Sequence, residues 1–343
     1  MEQILNLEGR KKWFSLIENA RKVLCVGHVN PDGDALGSTL MMMKWLQRKG
    51  KEAHVVMPNH YPDFLAAVPG ASEIVTYDVN PGRVEELVQE ADLIICCDHG
   101  NRERTRDLAP VLEKNLCARI MIDHHLGPED YCDLVLSRPE MCATCELLCH
   151  LMTELGEMEN LTQEEAECLY CGMMTDTGAF TYNSNRAAVY DCVSRLMERG
   201  VDKDMLYRKI FWTMTPQRLR LQGYLLYTKM QLIPGTHAAY MTLTNKERRL
   251  LGTKNGDTEG IVNLPLQISG MKLTCLISQD TEHPEQYRIS LRSVDDFPCN
   301  RLSADFFDGG GHKNAAGGRF TGSEEEAIEQ FKKAVKAYEH LLK

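Results

Sequence analysis

Aspartate and histidine side chains recur along the first half of this sequence, each group placed directly after a short apolar run or a helical pattern. His28, Asp32 and Asp34 stand together on a turn that follows one such run. The later members of the set follow three further predicted elements, and they are Asp98, Asp123, His124, His125 and Asp176. Carboxylate favours hard cations and imidazole extends the choice to transition metals. A mixed set of this kind predicts a site for Mn²⁺ or a similar divalent ion.

The number of these residues matters more than any one of them. A single Asp at a strand end commonly caps the next helix, and a single His is commonly a satisfied polar residue. Four loops at one sheet edge would gather about four or five carboxylates and two or three imidazoles, and so much negative charge needs cations to neutralise it. Two divalent ions that share a bridging carboxylate can activate water and hold the oxygens of a phosphate ester. The set favours hydrolysis of phosphate esters.

The elements that must position these residues follow an alternating pattern of β-rich apolar runs and helical segments. The predicted strands are Val23–Gly27, His54–Met57, Ile74–Tyr77, Leu93–Cys97, Arg119–Ile122 and Leu134–Leu136. This alternation is typical of an α/β domain with a largely parallel sheet and helices on both faces. A helix is also predicted over Glu164–Met174, with Asp176 on the loop after it. Ligands of such sheets bind at the carboxyl ends of the strands, where most of the set is expected.

The second part of the chain has a different pattern. Lys203–Met230 reads as further helix, and later apolar runs indicate strands of a smaller, mixed α/β domain that ends in an amphipathic helix, Glu324–Leu342. These strands are predicted at Ala238–Leu243, Leu273–Ser278 and Tyr287–Ser293. A length of 343 residues suits two domains of about 150 residues each. We predict a metal-binding catalytic domain at 1–200, a helical connector at 201–234 and a substrate-binding domain at 235–343.

Three consecutive glycines, Gly309, Gly310 and Gly311, precede His312 in this second part. Glycines let the backbone approach a ligand closely and present bare amide groups to an anion. An arginine can grip a phosphate with two parallel hydrogen bonds, and Arg292 lies in a predicted strand of the same domain. Arg292 and His312 are therefore candidates for binding the phosphate or base of a nucleotide.

Together these motifs resemble those of the DHH phosphoesterases, over nearly the whole chain. The first part carries His28-Val-Asn-Pro-Asp-Gly-Asp34, Asp98, Asp123-His124-His125 and Thr175-Asp176-Thr-Gly178. The second part carries Asp257–Asn263, Ser290-Leu-Arg292 and the glycine-rich run Phe307–Gly317, which resemble the DHHA1 substrate-binding domain. The resemblance is to the nanoRNase and pAp phosphatase subgroup rather than to the longer RecJ nucleases.

The resemblance implies a role for each residue of the set. It implies that His28 and Asp32 hold one Mn²⁺ and that Asp98 bridges two ions. The second ion would be held by Asp34, His124 and Asp176. His125 would face the scissile phosphate, as a hydrogen-bond donor to it or to the leaving oxygen. The implied cofactor is a pair of divalent ions, Mn²⁺ in particular, and the implied catalytic residues are Asp98 and His125.

The implied activity is hydrolysis of short oligoribonucleotides, linear dinucleotides such as pApA, or 3′-phosphoadenosine 5′-phosphate (pAp). One alternative is an exopolyphosphatase or inorganic pyrophosphatase, which shares the motifs of the first part. An alternative of another class is a regulatory nucleotide-binding protein with vestigial catalysis. The complete acidic set speaks against the last of these.

Net charge and composition limit the kinds of binding partner that the sequence predicts. The net charge is −10, with −13 over residues 1–200 and +3 over residues 201–343, so long nucleic acid is not an expected partner. No stretch resembles an export signal or a membrane span, so we expect a cytoplasmic protein without a membrane partner. The sequence does not set the oligomeric state, and a homodimer is one of the states it allows. Two Cys-x-x-Cys pairs, Cys142 with Cys145 and Cys168 with Cys171, superficially suggest zinc, but their helical patterns favour packing in the core.

Overall fold

The computed structural model describes residues 3–254 and 256–343. Its chain divides into two compact units, Met1–Thr213 and Met214–Lys343. The residues for which the sequence predicts a connector fall on both sides of this division. Among the described residues, no helix is both long enough and apolar enough to cross a membrane.

The first unit is built on a sheet of six parallel strands in the order β3-β2-β1-β4-β5-β6. The strands are β1 (Lys22–Val26), β2 (Glu52–Met57), β3 (Val75–Thr76), β4 (Leu93–Cys97), β5 (Ala118–Asp123) and β6 (Leu134–Ser137). The helices are α1 (Leu7–Asn19), α2 (Gly33–Arg48), α3 (Pro81–Glu90), α4 (Ala109–Leu112), α5 (Thr144–Glu154), α6 (Gln163–Asp176), α7 (Ala187–Glu198) and α8 (Lys203–Phe211). The predicted parallel α/β architecture is confirmed.

The nearly continuous apolar character of these strands has a simple cause. Side chains alternate between the two faces of a sheet, and both faces are buried here. Val23 and Cys25 of β1 belong to one hydrophobic core, whereas Leu24 and Val26 belong to a second core on the other face. The strand order reverses between β1 and β4, and such a switch point leaves a crevice at the carboxyl ends of the strands.

Two helical predictions need correction. The helix predicted at Glu164–Met174 continues to Asp176, so Asp176 is the last helical residue and not a loop residue. The segment 203–230 is not one helix, because α8 ends at Phe211 and a new helix begins at Pro216. Thr215 caps that new helix, and a proline in its first turn fits because its missing N–H would have no helical partner there.

The second unit contains a mixed sheet of six strands in the order β11-β12-β10-β9-β8-β7, in which only β8 and β9 pair in parallel. Its strands are β7 (Gln231–Leu232), β8 (Ala238–Leu243), β9 (Leu273–Gln279), β10 (Gln286–Ser293), β11 (Gly310–His312) and β12 (Ala315–Thr321). Its helices are α9 (Pro216–Tyr224), α10 (Asn245–Leu251), α11 (Cys299–Phe307) and α12 (Glu324–Ala337). The predicted mixed second domain is confirmed, although its last helix ends five residues before Leu342.

Candidate metal centre

The carboxyl ends of β1, β4 and β5 lie side by side, and the predicted aspartates and histidines follow them. After β1 the chain bends at Val29 and Asn30, and Asp32 caps α2 by accepting hydrogen bonds from the backbone N–H groups of Asp34 and Ala35, both at 3.0 Å. Asp98 follows β4 in a left-handed conformation with φ of 61°. A non-glycine residue pays a conformational cost there, and such strain is concentrated at functional sites.

One group of possible metal ligands consists of His28, Asp32 and Asp98. The Nε2 atom of His28 lies 3.2 Å from Oδ2 of Asp98 and 3.6 Å from Oδ2 of Asp32. His28 and Asp98 are buried, whereas the Asp32 side chain is 53% exposed. This group therefore has one side open to solvent.

A second group consists of Asp34, His124 and Asp176. The Nε2 atom of His124 lies 3.5 Å from Oδ2 of Asp176 and 3.9 Å from Oδ2 of Asp34. The same nitrogen lies 3.6 Å from Oδ1 of Asp98. The two carboxylate oxygens of Asp98 thus face different groups, Oδ2 toward His28 and Oδ1 toward His124.

The histidine rings are oriented by backbone carbonyl groups. Nδ1 of His28 lies 2.9 Å from the carbonyl oxygen of Val29, and Nδ1 of His124 lies 3.1 Å from that of Met141. When Nδ1 carries the proton and donates it to these oxygens, Nε2 of a neutral ring presents a lone pair to the cluster. The buried Nε2 of His28 has no hydrogen-bond partner among the described residues. The donor set and this unsatisfied nitrogen fit a divalent cation.

Glycines let helices α2 and α6 approach closely enough to bring Asp34 and Asp176 together. A Cβ atom on Gly37 of α2 would lie 2.4 Å from the carbonyl oxygen of Cys168 in α6. A Cβ atom on Gly172 of α6 would lie 2.7 Å from Oδ1 of Asp34 in α2 and 2.2 Å from the Cys145 sulfur in α5. These approaches are far too short for an alanine, so these positions require glycine.

The electrostatics of the cluster reflect its crowded negative charge. Burial, and next the charge of Asp34, raise the pKa of Asp98 well above its usual range and that of Asp176 to about 7. Burial alone would lower the pKa of His124, but the charges of Asp34 and Asp98 raise it to about 9. For His28, the neighbouring carboxylates of Asp32 and Asp98 likewise outweigh burial, which opposes protonation, and raise the pKa to about 10. The crowded carboxylates therefore favour positive charge at this place, either protons or cations that displace them.

His125 is held differently from the other two histidines. Its Nδ1 lies 2.8 Å from Oδ1 of Asp123 and 3.6 Å from Oδ1 of Asp98. Asp123 is fully buried, and His125 lowers the pKa of Asp123 against the opposing effect of burial. About a third of the His125 side chain is exposed. Asp98, His124 and His125 also form a third group of possible metal ligands.

Two residues that position the ligands were absent from the sequence-based set. Thr144 donates from its hydroxyl to Oδ1 of Asp98 at 3.0 Å, and its backbone N–H donates to Asp34 at 2.6 Å. The backbone N–H of Cys145 also donates to Asp34, at 2.9 Å. These amides belong to the first turn of α5, where the helix dipole favours a carboxylate. The threonine follows Cys142-Ala in sequence, and nothing in that local pattern signals its role.

The predicted substrate-binding residues lie on one edge of the second sheet. His312 pairs with Ala315, which in turn pairs with Arg292, so these three positions form one row across β11, β12 and β10. Backbone packing explains two of the three glycines, because a Cβ on Gly309 or Gly311 would lie within 2.1 or 2.6 Å of a carbonyl oxygen of β12. Gly310 has open space around its Cα.

The cysteine pairs do not form a metal site. Cys142, Cys145, Cys168 and Cys171 are buried free thiols, and none belongs to a possible metal-binding group of the described residues. Cys142 precedes α5 rather than lying in it, and the other three pack between α5 and α6 in the main core. Burial raises the pKa of each thiol, as expected for structural cysteines.

Comparison with known proteins agrees with this architecture. Residues 22–173 match the model of the DHH family, N-terminal domain, and residues 238–340 match the DHHA1 domain. The chain is 41% identical to an exopolyphosphatase-related protein from Bacteroides fragilis, whose crystal structure matches with 99% of each chain covered and a TM-score of 0.94. It is 24% identical to the bifunctional oligoribonuclease and PAP phosphatase NrnA of Bacillus subtilis, over 84% of this chain and 86% of that protein.

A further relative is the cyclic-di-AMP phosphodiesterase GdpP of Geobacillus thermodenitrificans, which is 29% identical over 199 residues. The match covers 54% of this chain and only 29% of GdpP. Fold and site together define a phosphoesterase with a cluster of possible ligands for divalent metal. The chain belongs to the DHH family and combines its N-terminal domain with a DHHA1 domain.

Proposed function

We propose that this protein is a Mn²⁺-dependent phosphodiesterase and phosphatase for short oligoribonucleotides, linear dinucleotides such as pApA, and pAp. The observation that carries the proposal is the position of Asp98, whose two carboxylate oxygens face two separate groups of metal ligands. A carboxylate placed in this way can serve two ions at once. Two-ion sites are suited to displacement at phosphorus.

In this proposal, His28, Asp32 and Asp98 hold one ion, and Asp98 also contacts the other. The second ion is held by Asp34, His124 and Asp176. Such ions would supply an activated water molecule and neutralise the charge of the phosphate. Thr144 orients Asp98, and the first turn of α5 orients Asp34. The protein thus contributes ligand carboxylates that its own hydrogen bonds already orient.

His125 acts on the substrate in this scheme. Asp123 fixes the ring through Nδ1, so Nε2 can donate a hydrogen bond to the scissile phosphate or to the leaving oxygen. Arg292 and His312 bind the distal phosphate or base of the nucleotide, and Gly310 leaves room for close approach of the ligand. The choice of short nucleotides as substrates is supported by the likeness to NrnA, which spans more than four fifths of both chains.

A second candidate is exopolyphosphatase activity. The likeness to the exopolyphosphatase-related protein of Bacteroides fragilis, which shares 41% identity with this chain, favours it. The arginine and glycine residues of the DHHA1 domain favour a nucleotide instead. A nucleotide-binding regulator without catalysis is the third candidate, and the full acidic cluster argues against it.

A substrate panel with Mn²⁺ tests these candidates. It compares pAp, pApA, di- to pentaribonucleotides, a long RNA of about two dozen nucleotides, a cyclic dinucleotide, pyrophosphate and polyphosphate. We expect turnover of pAp and the short RNAs, with a steep fall as RNA lengthens, because the acidic first part offers no basic track for a trailing strand. Chelation should abolish the activity and added Mn²⁺ should restore it. A preference for polyphosphate, or equal rates on a trinucleotide and the long RNA, would contradict the proposal.

A further inference from the structure

Beyond Arg292, the same face of the second sheet carries additional arginines. Side chains of β10 alternate, so Arg288, Ser290 and Arg292 project on the face opposite the core packed by α11 and α12. Arg319 of β12 pairs directly with Arg288 and therefore shares this face. Arg248 of α10 lines the same cavity as Arg288 and Arg292, and this cavity has a volume of about 450 Å³.

The side chains of Arg248, Arg288 and Arg319 have no partners in the part of the chain that the structure describes. Among residues 3–254 and 256–343, none gives these three guanidinium groups a hydrogen bond or a carboxylate within 4.0 Å. The Nε atom of Arg248 is buried and unsatisfied. Like charges directly opposite each other in a sheet are destabilising, as at Arg288 and Arg319, unless an anion lies between them. Burial and the charge of Arg288 also lower the pKa of Arg248.

Two acidic residues line this cavity as well, Asp280 and Glu259. The carboxylate of Asp280 accepts hydrogen bonds from the backbone N–H groups of Glu282 and His283, and the Glu259 side chain is exposed. Against these two carboxylates the lining carries three arginines, Arg248, Arg288 and Arg292, so the cavity keeps an excess of positive charge.

The middle of this face, between the rows of Arg292 and Arg288, lacks bulky side chains, and we call it the floor. Ser290 pairs with Gly317, and Gly317 pairs with Gly310 of the edge strand. The row of Arg292 and His312 lies on one side of this floor, and the row of Arg288 and Arg319 lies on the other. Arg288 and Arg292 are four residues apart in one strand, which separates their Cα atoms by about 13 Å. That distance is longer than the step between adjacent phosphates of one strand.

We propose that Arg248, Arg288 and Arg319 form a second anion site, which binds a phosphate not adjacent to the one assigned to Arg292 and His312. The inference rests on the proposed function and adds to it a basis for selecting chain length. The spacing of the two rows suits phosphates that are not adjacent, and the two phosphates of pAp flank a single nucleoside. A tri- or tetraribonucleotide carries such phosphates and has an intervening sugar and base to lie over the Ser290 and Gly317 floor. Polyphosphate shares the repeated phosphate but has no base or sugar to lie on that floor.

The test measures kcat/KM for a tetraribonucleotide, pAp and polyphosphate with Arg288→Ala and Arg248→Ala. Arg288 is exposed and unpaired, so the Arg288→Ala variant is expected to fold. The ratio of tetranucleotide to pAp kcat/KM should fall about tenfold or more, because a charge-assisted contact is lost only with the longer substrate. Arg288→Lys should recover part of the loss. Arg301→Ala removes an exposed arginine from α11, on the other face, and should leave the ratio unchanged.

A binding measurement keeps this test separate from the proposed function. Anisotropy of a labelled tetraribonucleotide with the Asp98→Asn variant reports binding without needing turnover. Loss of one phosphate contact should reduce the slope of log Kd against log salt by about 0.7. Absence of nucleotide turnover in the wild type would defeat the proposed function but leave this measurement valid. An unchanged ratio and slope in Arg288→Ala, or a loss confined to polyphosphate, would overturn the second site.

Discussion

The candidate metal centre and the arginine face of the second sheet handle charge in opposite ways. At the metal centre, Asp34 and Asp98 are buried and receive hydrogen bonds from Thr144 and from the backbone of α5. On the arginine face, Arg288 is exposed and has no partner among the described residues. Fixed ligands keep a geometry for chemistry, whereas unpaired cations remain available for a substrate phosphate. Substitutions in the two regions should therefore have different signatures.

The largest expected effect comes from replacing Asp98 by Asn. Asparagine tolerates the left-handed backbone at this position, so the fold should survive while the bridging charge is lost. Metal ions contribute several kcal/mol of charge stabilisation in the transition state, so loss of the shared charged ligand should lower kcat by about 10²- to 10⁴-fold on every substrate. Turnover with Mn²⁺ and metal content per chain are the measurements. Near-normal turnover with an unchanged metal content would remove the two-ion assignment.

Arg292→Ala and His312→Ala test the proposed substrate-binding residues of the second unit. Each should lower kcat/KM for pAp and dinucleotides by about 10- to 150-fold, the equivalent of one charge-assisted contact of about 1.5–3 kcal/mol. A generic aryl phosphodiester lacks the distal phosphate and base, so its hydrolysis should change much less. The measurement is kcat/KM of each variant for the nucleotides and for the aryl phosphodiester. Equal losses on the two would mean that these residues support the fold or the metals instead.

Substitutions of His125 and Asp123, like those at the metal centre, should slow the hydrolysis of every substrate, but by a smaller factor. Asp123→Asn keeps the shape of the side chain and weakens its hold on the His125 ring, and positioning partners of this kind contribute about 10- to 100-fold. The loss should appear in kcat for both pAp and the aryl phosphodiester. His125→Ala should lower both as well. If Asp123→Asn adds a further loss to His125→Ala, Asp123 does not act through the histidine.

The smallest effect concerns stability alone, in the second unit. The Glu247 carboxylate accepts hydrogen bonds from Tyr224 at 2.6 Å and Lys229 at 2.9 Å, and it caps α10 through Thr244. Burial opposes ionisation, but these bonds lower the pKa of Glu247 to about 2. Because the folded pKa lies below the unfolded value, this stabilisation is complete above about pH 4.5 and is lost as pH falls toward 2.

Glu247→Gln should therefore lower the free energy of unfolding by about 1–3 kcal/mol at pH 7 and flatten its dependence on pH between 4.5 and 2. Denaturant titrations across this range measure both. Glu282→Gln is a matched control on an exposed carboxylate of the same unit. Parallel acid profiles for the wild type and Glu247→Gln would show that Glu247 does not contribute in this way.

Much of the fold followed from sequence periodicity. Strands buried on both faces read as continuous apolar runs, and all six strands of the first sheet lie within a few residues of their predicted positions. The errors fell at helix ends, where local signals are weak. Asp176 remained helical because α6 is packed along α2, and a sequence window does not contain that neighbour.

The sequence by itself determined which residue types stand at the strand ends, since parallel strands bring their carboxyl ends to one edge and a dense group of acids there requires cations. It did not determine which oxygen of Asp98 faces which histidine, or that Thr144 reaches Asp98 from 46 positions away. It also left Arg248, Arg288 and Arg319 unremarked, because these three become neighbours only through sheet pairing and the packing of α10. Contacts between distant segments are fixed by the tertiary structure, where burial and register decide which side chains share a face.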